Sequence, residues 1–86
     1  MVKVLVIHYN NPLPTQIPPD VAEGLKKAIA DFLAANPDIK YHGTDWDPKT
    51  GKAICYWEGD REKIESFIRN ANLPYDEVIE VQALSF

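Results

Sequence analysis

Residues 51–60 read GKAICYWEGD, and in this stretch a predicted strand passes directly into a predicted helix. Lys52–Glu58 is short, largely apolar and rich in aromatic residues, which predicts a buried β-strand. Gly59 and Asp60 follow, and the aspartate is a favourable N-cap for the predicted helix Arg61–Asn72. The stretch also holds the only cysteine of the chain, so its chemistry has to be considered beside its architecture.

The rest of the chain shows the same change from strand pattern to helix pattern. Asp20–Ala35 has apolar side chains at helical spacing, and the proline-rich residues 10–19 before it predict an extended connection. The predicted elements are the strand Lys3–Tyr9, the helix Asp20–Ala35, the strands Ile39–Asp47 and Lys52–Glu58, the helix Arg61–Asn72 and the strand Val78–Leu84. This β-α-β-β-α-β order predicts one α+β domain, residues 1–86, with a four-stranded antiparallel sheet and both helices on one face.

Composition and charge argue against several classes of protein. Nine basic and thirteen acidic residues give a net charge of −4, which argues against binding to nucleic acid or to an anionic membrane. The apolar run Val4–Ile7 is too short for a signal-peptide core or a membrane span. The single cysteine, Cys55, has no partner for an internal disulfide. These features predict a soluble protein of the cytoplasm.

The loop DPKTG determines which side chains share a face of the sheet. If Asp47 pairs with Lys52, the period of two assigns every residue of both strands to a face. Ala53 and Cys55 have small side chains, which favours a position beneath the helices, and the same register places His42 on that side. The predicted open face consists of Tyr41, Ile54, Tyr56, Val78 and Leu84, with alternate residues of Val4–His8.

The open face predicts a homodimer. Two helices cover only one side of a four-stranded sheet, and an isolated domain seldom exposes a large apolar patch. Pairing two open faces about a two-fold axis would bury the patch and give a dimeric α+β barrel. We expect Tyr41, Ile54 and Tyr56 in this dimer interface.

Two chemical roles for the central strand are disfavoured by its residues. The octet Thr50–Trp57 is similar to an RNA-recognition strand, but Lys52 and Ile54 occupy the positions where bases would stack on aromatic rings. A reactive Cys55 would need a nearby base, for which His42, diagonally across the hairpin, is the candidate. Burial raises the pKa of a thiol and excludes substrate, so the sequence favours Cys55 as a small apolar filler.

Metal binding stays open at this point. The candidate ligands are His8, His42, Asp45, Asp47, Cys55 and Glu58. No pair of them has a recognised ligand spacing, and a transition metal usually needs three or four converging donors. We take His8, His42 and Glu58 as the candidate metal ligands, and we expect them to complete a site only where two subunits share it.

The second half of the chain resembles a known family. The residues GKAICYWEGDREKIESFIRNANLPYDEVIEV contain a strand ending in Cys-x-x-Glu, a helix, Leu-Pro and a Val-x-Glu-Val strand. In these motifs the chain resembles a family of small ferredoxin-like domains of the dimeric α+β barrel type, one bacterial branch of which is associated with nickel binding. The resemblance implies a dimer, and it makes nickel or another divalent transition metal a candidate cofactor. It implies no particular reaction.

Three function classes remain, and the last of them is a purely structural subunit of a larger assembly. The favoured one is a non-enzymatic homodimer that binds a transition metal or a small ligand. The alternative is a small cofactor-free enzyme, such as a monooxygenase or dehydratase of the dimeric α+β barrel type. Such an enzyme would use a histidine, His8 or His42, in an apolar pocket between helices and sheet.

Overall fold

The computed structural model describes residues 2–86, and its elements follow the predicted order. They are β1 (Lys3–His8), α1 (Pro19–Ala35), β2 (Lys40–Trp46), β3 (Ala53–Glu58), α2 (Arg61–Asn70) and β4 (Glu77–Val81). The strands form one antiparallel sheet in the order β2-β3-β1-β4. The predicted α+β architecture of the ferredoxin-like type is therefore confirmed. Within residues 2–86, neither helix is long and apolar enough to cross a lipid bilayer.

The core lies between one face of the sheet and the helices. Alternate residues of the central strands supply it, because successive side chains of a strand point to opposite faces. The buried members are Val4, Val6, Ile39, Cys55, Trp57, Ile64, Ile68 and Val78, with Ile29, Phe32, Leu33, Tyr41, Phe67, Leu73 and Tyr75 packed around them. Ala53 and Cys55 lie on this covered face, as predicted.

The two helices make unequal use of the covered face. α2 buries Ile64 and Ile68, which are 0% and 1% exposed. Its N-terminus is capped by the Asp60 side chain, which accepts a hydrogen bond from the Lys63 backbone N–H at 3.1 Å. α1 is longer, but none of its residues Pro19–Ala35 is buried, and its N-cap Pro18 offers no side-chain bond. α1 therefore stands off from the sheet.

A β-bulge at His42 corrects part of the predicted register. Next to the loop the pairs are as predicted, with Thr44 opposite Cys55. Between Tyr41 and Gly43 the register shifts, so Tyr41 lies opposite Trp57 on the covered face. The predictions that Tyr41 lies on the open face and His42 on the covered face are therefore wrong. The cause is one extra residue in β2, accommodated by Gly43 at a φ of 112°.

The open face carries six half-buried apolar side chains. By strand pairing they are Leu5, Ile7, Ile54, Tyr56, Ile79 and Val81. Ile54 and Tyr56 lie where the sequence placed them. Val78 does not, because it pairs with Val6 and is buried on the covered face, and Leu84 lies beyond the end of β4.

Candidate ligand-binding site

A cavity of about 220 Å³ lies between the sheet and the helices. Its walls are mostly aromatic and aliphatic, with a few polar side chains on the sheet side. The lining residues are His8, Leu13, Ile17, Leu25, Ile29, Tyr41, Thr44, Trp46, Cys55, Trp57, Phe67, Ile68 and Leu73. An apolar cavity with a few convergent polar groups is the usual form of a small-molecule site.

The cavity exists because α1 is held away from the sheet by aromatic rings. Phe32 of α1 stacks on Phe67 of α2 at a centroid distance of 4.5 Å and meets the edge of Trp57 at 6.0 Å. One and two turns before Phe32, the side chains of Ile29 and Leu25 line the cavity. Large rings at one end of the helix thus leave open space at its other end.

An apolar groove runs along α1 and shares part of its lining with the cavity. It is lined by Ile17, Ala22, Leu25, Lys26, Ile29, Ala30, Leu33 and Tyr41. Ile17, Leu25, Ile29 and Tyr41 belong to both spaces. The groove therefore adjoins the cavity along α1.

Residues 9–18, which we call the strap, cover the cavity on a third side. Leu13 and Ile17 of the strap line it. The Leu13 backbone N–H donates to the Gly51 carbonyl at 2.9 Å, and the Trp46 indole Nε1–H donates to the Pro14 carbonyl at 3.2 Å. A Cβ at position 51 would lie 1.9 Å from the Leu13 carbonyl oxygen, so only glycine allows this approach.

Asp76 anchors the start of the strap. Its carboxylate accepts hydrogen bonds from the backbone N–H groups of Tyr9, Asn10 and Asn11 at 2.7–2.9 Å, and from the Asn11 side-chain amide at 2.8 Å. These bonds, led by that from Asn10, lower the pKa of Asp76 to about 2. Asp76 was not predicted as a structural residue, because nothing in the sequence around it indicates three donors from a distant segment.

Four side chains form a continuous hydrogen-bonded chain along the cavity floor. His8 Nδ1 lies 2.5 Å from the Pro74 carbonyl, and His8 Nε2 lies 3.3 Å from Cys55 Sγ. The Thr44 hydroxyl donates to Cys55 Sγ at 3.0 Å, and the Tyr41 hydroxyl lies 2.5 Å from Thr44 Oγ1. The chain joins three strands of the sheet with the segment that precedes β4.

The hydrogen-bond partners fix the direction of the chain. A carbonyl can only accept, so the His8 proton sits on Nδ1, and Nε2 of the neutral ring is an acceptor. The Cys55 thiol then donates to Nε2, Thr44 donates to the sulfur, and Tyr41 donates to Thr44. Each hydroxyl or thiol proton is used within the chain.

Burial keeps these groups uncharged at neutral pH. His8 is 0% exposed, and desolvation lowers its pKa below the ordinary value of 6.5. Desolvation likewise raises the pKa of the Cys55 thiol and of the Tyr41 hydroxyl. Among residues 2–86, no Lys, Arg, Asp or Glu side chain lines the cavity. The cavity is therefore electrically neutral.

The three candidate metal ligands are not brought together in one chain. His42, displaced by the bulge, meets Glu58 with Nε2 2.8 Å from Oε1, and both side chains are partly exposed. Pairing with this histidine is also the main reason that the pKa of Glu58 is lowered. His8 lies on the opposite face and at the far end of β3, opposite Ala53. Within residues 2–86, no group of three or more His, Cys, Asp or Glu is arranged to hold a metal ion.

The base beside Cys55 is His8 rather than the expected His42. In a split β-α-β fold the first and third strands are central neighbours, and their pairing places His8 opposite Ala53, two residues before Cys55. The pairing of the first and third strands was therefore the signal that could have identified His8 from the sequence. The hairpin register, used alone, pointed to His42 instead. Of the two histidines considered for an enzyme, His8 lines the cavity and His42 does not.

Comparison with known proteins supports the fold and adds no activity. No protein-family model and no curated protein sequence matches the chain. Among solved structures, the chain is similar to the crystal structure of SCO4226 from Streptomyces coelicolor A3(2), with a TM-score of 0.63 and 22% sequence identity. The match covers 96% of this chain and 99% of that chain. At this identity the similarity shows a shared α+β fold alone.

Proposed function

We propose that the chain forms a homodimer that binds a small, uncharged organic molecule in the cavity between α1 and the sheet. The observation that carries the proposal is an apolar cavity of about 220 Å³ with a hydrogen-bonded chain of four side chains along its floor. Empty apolar cavities cost stability, because their lining atoms lose packing partners. A ligand would restore those contacts.

Size and polarity define the class of ligand. An apolar cavity of about 150 Å³ is enough to hold benzene, whereas drug-sized ligands use about 300 Å³ or more. The cavity here lies between the two, which fits a monocyclic aromatic compound with a short substituent. A charged ligand would lose its hydration without gaining an opposite charge, because the lining carries none.

Acetophenone and benzoate are suitable probes because they have nearly the same size and differ in charge. We expect acetophenone to bind ¹⁵N-labelled protein with a Kd between about 10 µM and about 1 mM, as judged by amide chemical shifts. The shifts should be largest at Ile29, Thr44 and Cys55, which line the cavity. Equal affinity for benzoate, or acetophenone shifts confined to other residues, would contradict the proposal.

A cavity-filling variant with a matched control tests the location of the ligand. Ile29→Phe adds a ring inside the cavity and should weaken acetophenone binding by at least about tenfold. Val21→Phe adds a ring to the same helix at a position that is 54% exposed, so it should leave the affinity unchanged. Similar effects of the two substitutions would place the ligand elsewhere.

The open face supports the homodimeric part of the proposal through its charges as well as its apolar centre. Lys3 and Lys40 lie at one end of this face, on either side of Glu58, which pairs with His42, whereas Asp45 and Glu77 lie at the other end. A two-fold axis perpendicular to the strands and between two such faces would bring the basic end of each copy to the acidic end of its twin. Opposite charges at a rim favour that orientation over the parallel one.

Sedimentation tests the dimer directly. The wild-type chain should sediment at twice its 9.7 kDa mass at micromolar concentration. Ile54→Lys places a charge in the centre of the open face and should give the single-chain mass. Leu84→Lys, at a position that is 76% exposed beyond β4, is the matched control and should stay dimeric. A wild-type protein of single-chain mass would refute the interface.

Residues 2–86 of one chain do not provide a complete set of ligands for nickel, the candidate metal that the family resemblance implies. His42 and Glu58 supply two adjacent donors, and a metal centre would require more from a second subunit. Metal analysis of untagged protein after dialysis against Ni²⁺ tests this expectation. Stoichiometric nickel that is lost in His42→Ala would establish a shared site, and its absence would remove metal from the function.

A further inference from the structure

The cavity floor holds a thiol and a base in contact. Cys55 Sγ lies 3.3 Å from His8 Nε2 and also accepts a hydrogen bond from the Thr44 hydroxyl at 3.0 Å. Cys55 lines the cavity and is 7% exposed, so its sulfur lies at the boundary of the space that a ligand would occupy. The binding proposal does not use this pair.

The surroundings orient the pair for proton transfer. The Pro74 carbonyl holds the Nδ1 proton of His8, which leaves Nε2 as the basic nitrogen facing the thiol. The titratable groups that act on His8 directly are Cys55 on β3, in contact with Nε2, and Asp76 before β4, through its charge. Tyr41 on β2 is linked to His8 only through Thr44 and Cys55. Neither helix contributes a charged side chain to the cavity lining. His8 is therefore the base that can accept the Cys55 proton.

We infer that Cys55 captures small, uncharged α,β-unsaturated carbonyl compounds covalently, with His8 as the base. This inference rests on the proposed function, because the compound must enter the same cavity. The apolar walls select against charged electrophiles, and the thiol and base supply the reaction. The sequence analysis named His42 as the candidate base and favoured an unreactive Cys55, whereas in the structure the base in contact with the sulfur is His8.

The reaction needs no further reactant. The thiol proton passes to His8 Nε2 as Cys55 Sγ bonds to the β-carbon of the compound. The electrons of the carbon–carbon double bond move to form an enolate, whose charge is stabilised by the protonated imidazole. The α-carbon then takes the proton from His8 Nε2, which gives a neutral thioether and restores the neutral ring.

A pair of maleimides tests access to the thiol. N-ethylmaleimide is neutral and of cavity size, whereas 3-maleimidopropionate carries the same reactive group and a carboxylate. Adducts at the only cysteine are measured by intact mass over time. In the native protein the neutral reagent should react at least about tenfold faster, and in urea the two rates should be similar. Equal native rates, or no native adduct with either reagent, would overturn the inference.

The dependence of the native rate on pH tests the role of His8 without a variant. A thiol that reacts through free thiolate gains about tenfold in rate per pH unit below its pKa. With neutral His8 as the base, the rate of N-ethylmaleimide addition should change by less than about threefold between about pH 7 and about pH 8.5. A tenfold rise per unit would remove His8 from the reaction.

A variant of His8 and a matched control complete the test. His8→Asn retains a side-chain N–H for the Pro74 carbonyl but no base, and should slow addition by at least about tenfold. Asp38→Asn introduces the same side chain at an exposed position outside the cavity and should leave the rate unchanged. Acetophenone binding without adduct formation would end this inference and leave the proposed function intact. Failure of acetophenone to bind would end both.

Discussion

α1 and α2 show the same apolar periodicity in the sequence, but they differ in how they meet the sheet. α2 buries Ile64 and Ile68 in the core, and the Asp60 side chain caps its N-terminus. α1 buries none of its residues Pro19–Ala35 and lies over a cavity. The packing of α2 thus stabilises the domain. α1 gives up packing, and the space beneath it is the candidate site.

A helical stripe of apolar residues therefore does not by itself specify close packing. In α1 the stripe contains Phe32, whose ring stacks on Phe67 and spaces the helix from the sheet. Ile29 and Leu25 continue the stripe but end at the cavity. Close packing elsewhere in the domain has to offset this loss, because each unfilled volume costs free energy and the net stability of a domain is small.

Identical truncations in the two helices should show the largest effect. Ile64→Ala removes a fully buried side chain from α2 and should lower the free energy of unfolding by about 3 kcal/mol. Ile29→Ala enlarges a space that is already open and should cost about 1 kcal/mol. Urea unfolding of both variants measures the difference. Equal costs would mean that α1 packs as tightly as α2.

Two glycine substitutions should act in opposite directions. Gly51→Ala forces a Cβ against the Leu13 carbonyl at a φ of 81°, and should destabilise the protein by about 2 kcal/mol by displacing the strap. The Cβ that Gly24→Ala adds to α1 has no neighbouring atom within 4 Å, so this substitution should stabilise the protein by about 0.5–1 kcal/mol. Urea midpoints measure both changes. Destabilisation by Gly24→Ala would indicate that α1 lies closer to its surroundings than described.

The smallest effect should come from the carboxylate that anchors the strap, and it should depend on pH. Because the folded-state pKa of Asp76 is depressed from 3.8 to about 2, its contribution is present above pH 3.8 and is lost as the pH falls through 2. Asp76→Asn should therefore be less stable than wild type at pH 7, and the difference should disappear as the pH falls below 2. Urea unfolding across this range is the measurement, with Asp38→Asn as an exposed control. A constant difference across the range would contradict the role of the carboxylate.

The element order was predictable from the sequence because periodicity, turns and caps are local signals. Asp60 was recognised as a cap, and the DPKTG loop gave the correct pairing of Thr44 with Cys55. Asp47 closes that loop with bonds to Lys49 N–H and the Thr50 hydroxyl, as expected of a turn-forming aspartate. Each of these features depends on residues within a few positions of one another.

The register beyond the loop was not predictable in the same way. One extra residue at His42 reverses the face of every residue before it in β2, so Tyr41 moves from the expected interface into the cavity wall. In β4 the sequence EVIEV has apolar residues on both faces, which allowed the wrong choice between Val78 and Ile79. A small local change in backbone therefore altered the chemistry assigned to each face.

The candidate site depends on distances that no pattern in the sequence encodes. His8, Cys55 and Thr44 come from three strands, and their contact follows from the sheet order. The cavity above them depends on how far aromatic rings hold α1 from the sheet. The sequence thus indicated a pocket histidine as one option, and the structure identifies His8 and its partners.

Diffraction from a crystal pressurised with xenon would show whether an apolar cavity separates α1 from the sheet, because xenon occupies such cavities without needing a specific hydrogen bond. We predict a xenon atom between α1 and the sheet, in contact with Leu25, Ile29 and Trp57. An α1 that lies directly on the sheet, with its apolar side chains filling the space and no xenon beneath it, would contradict the account.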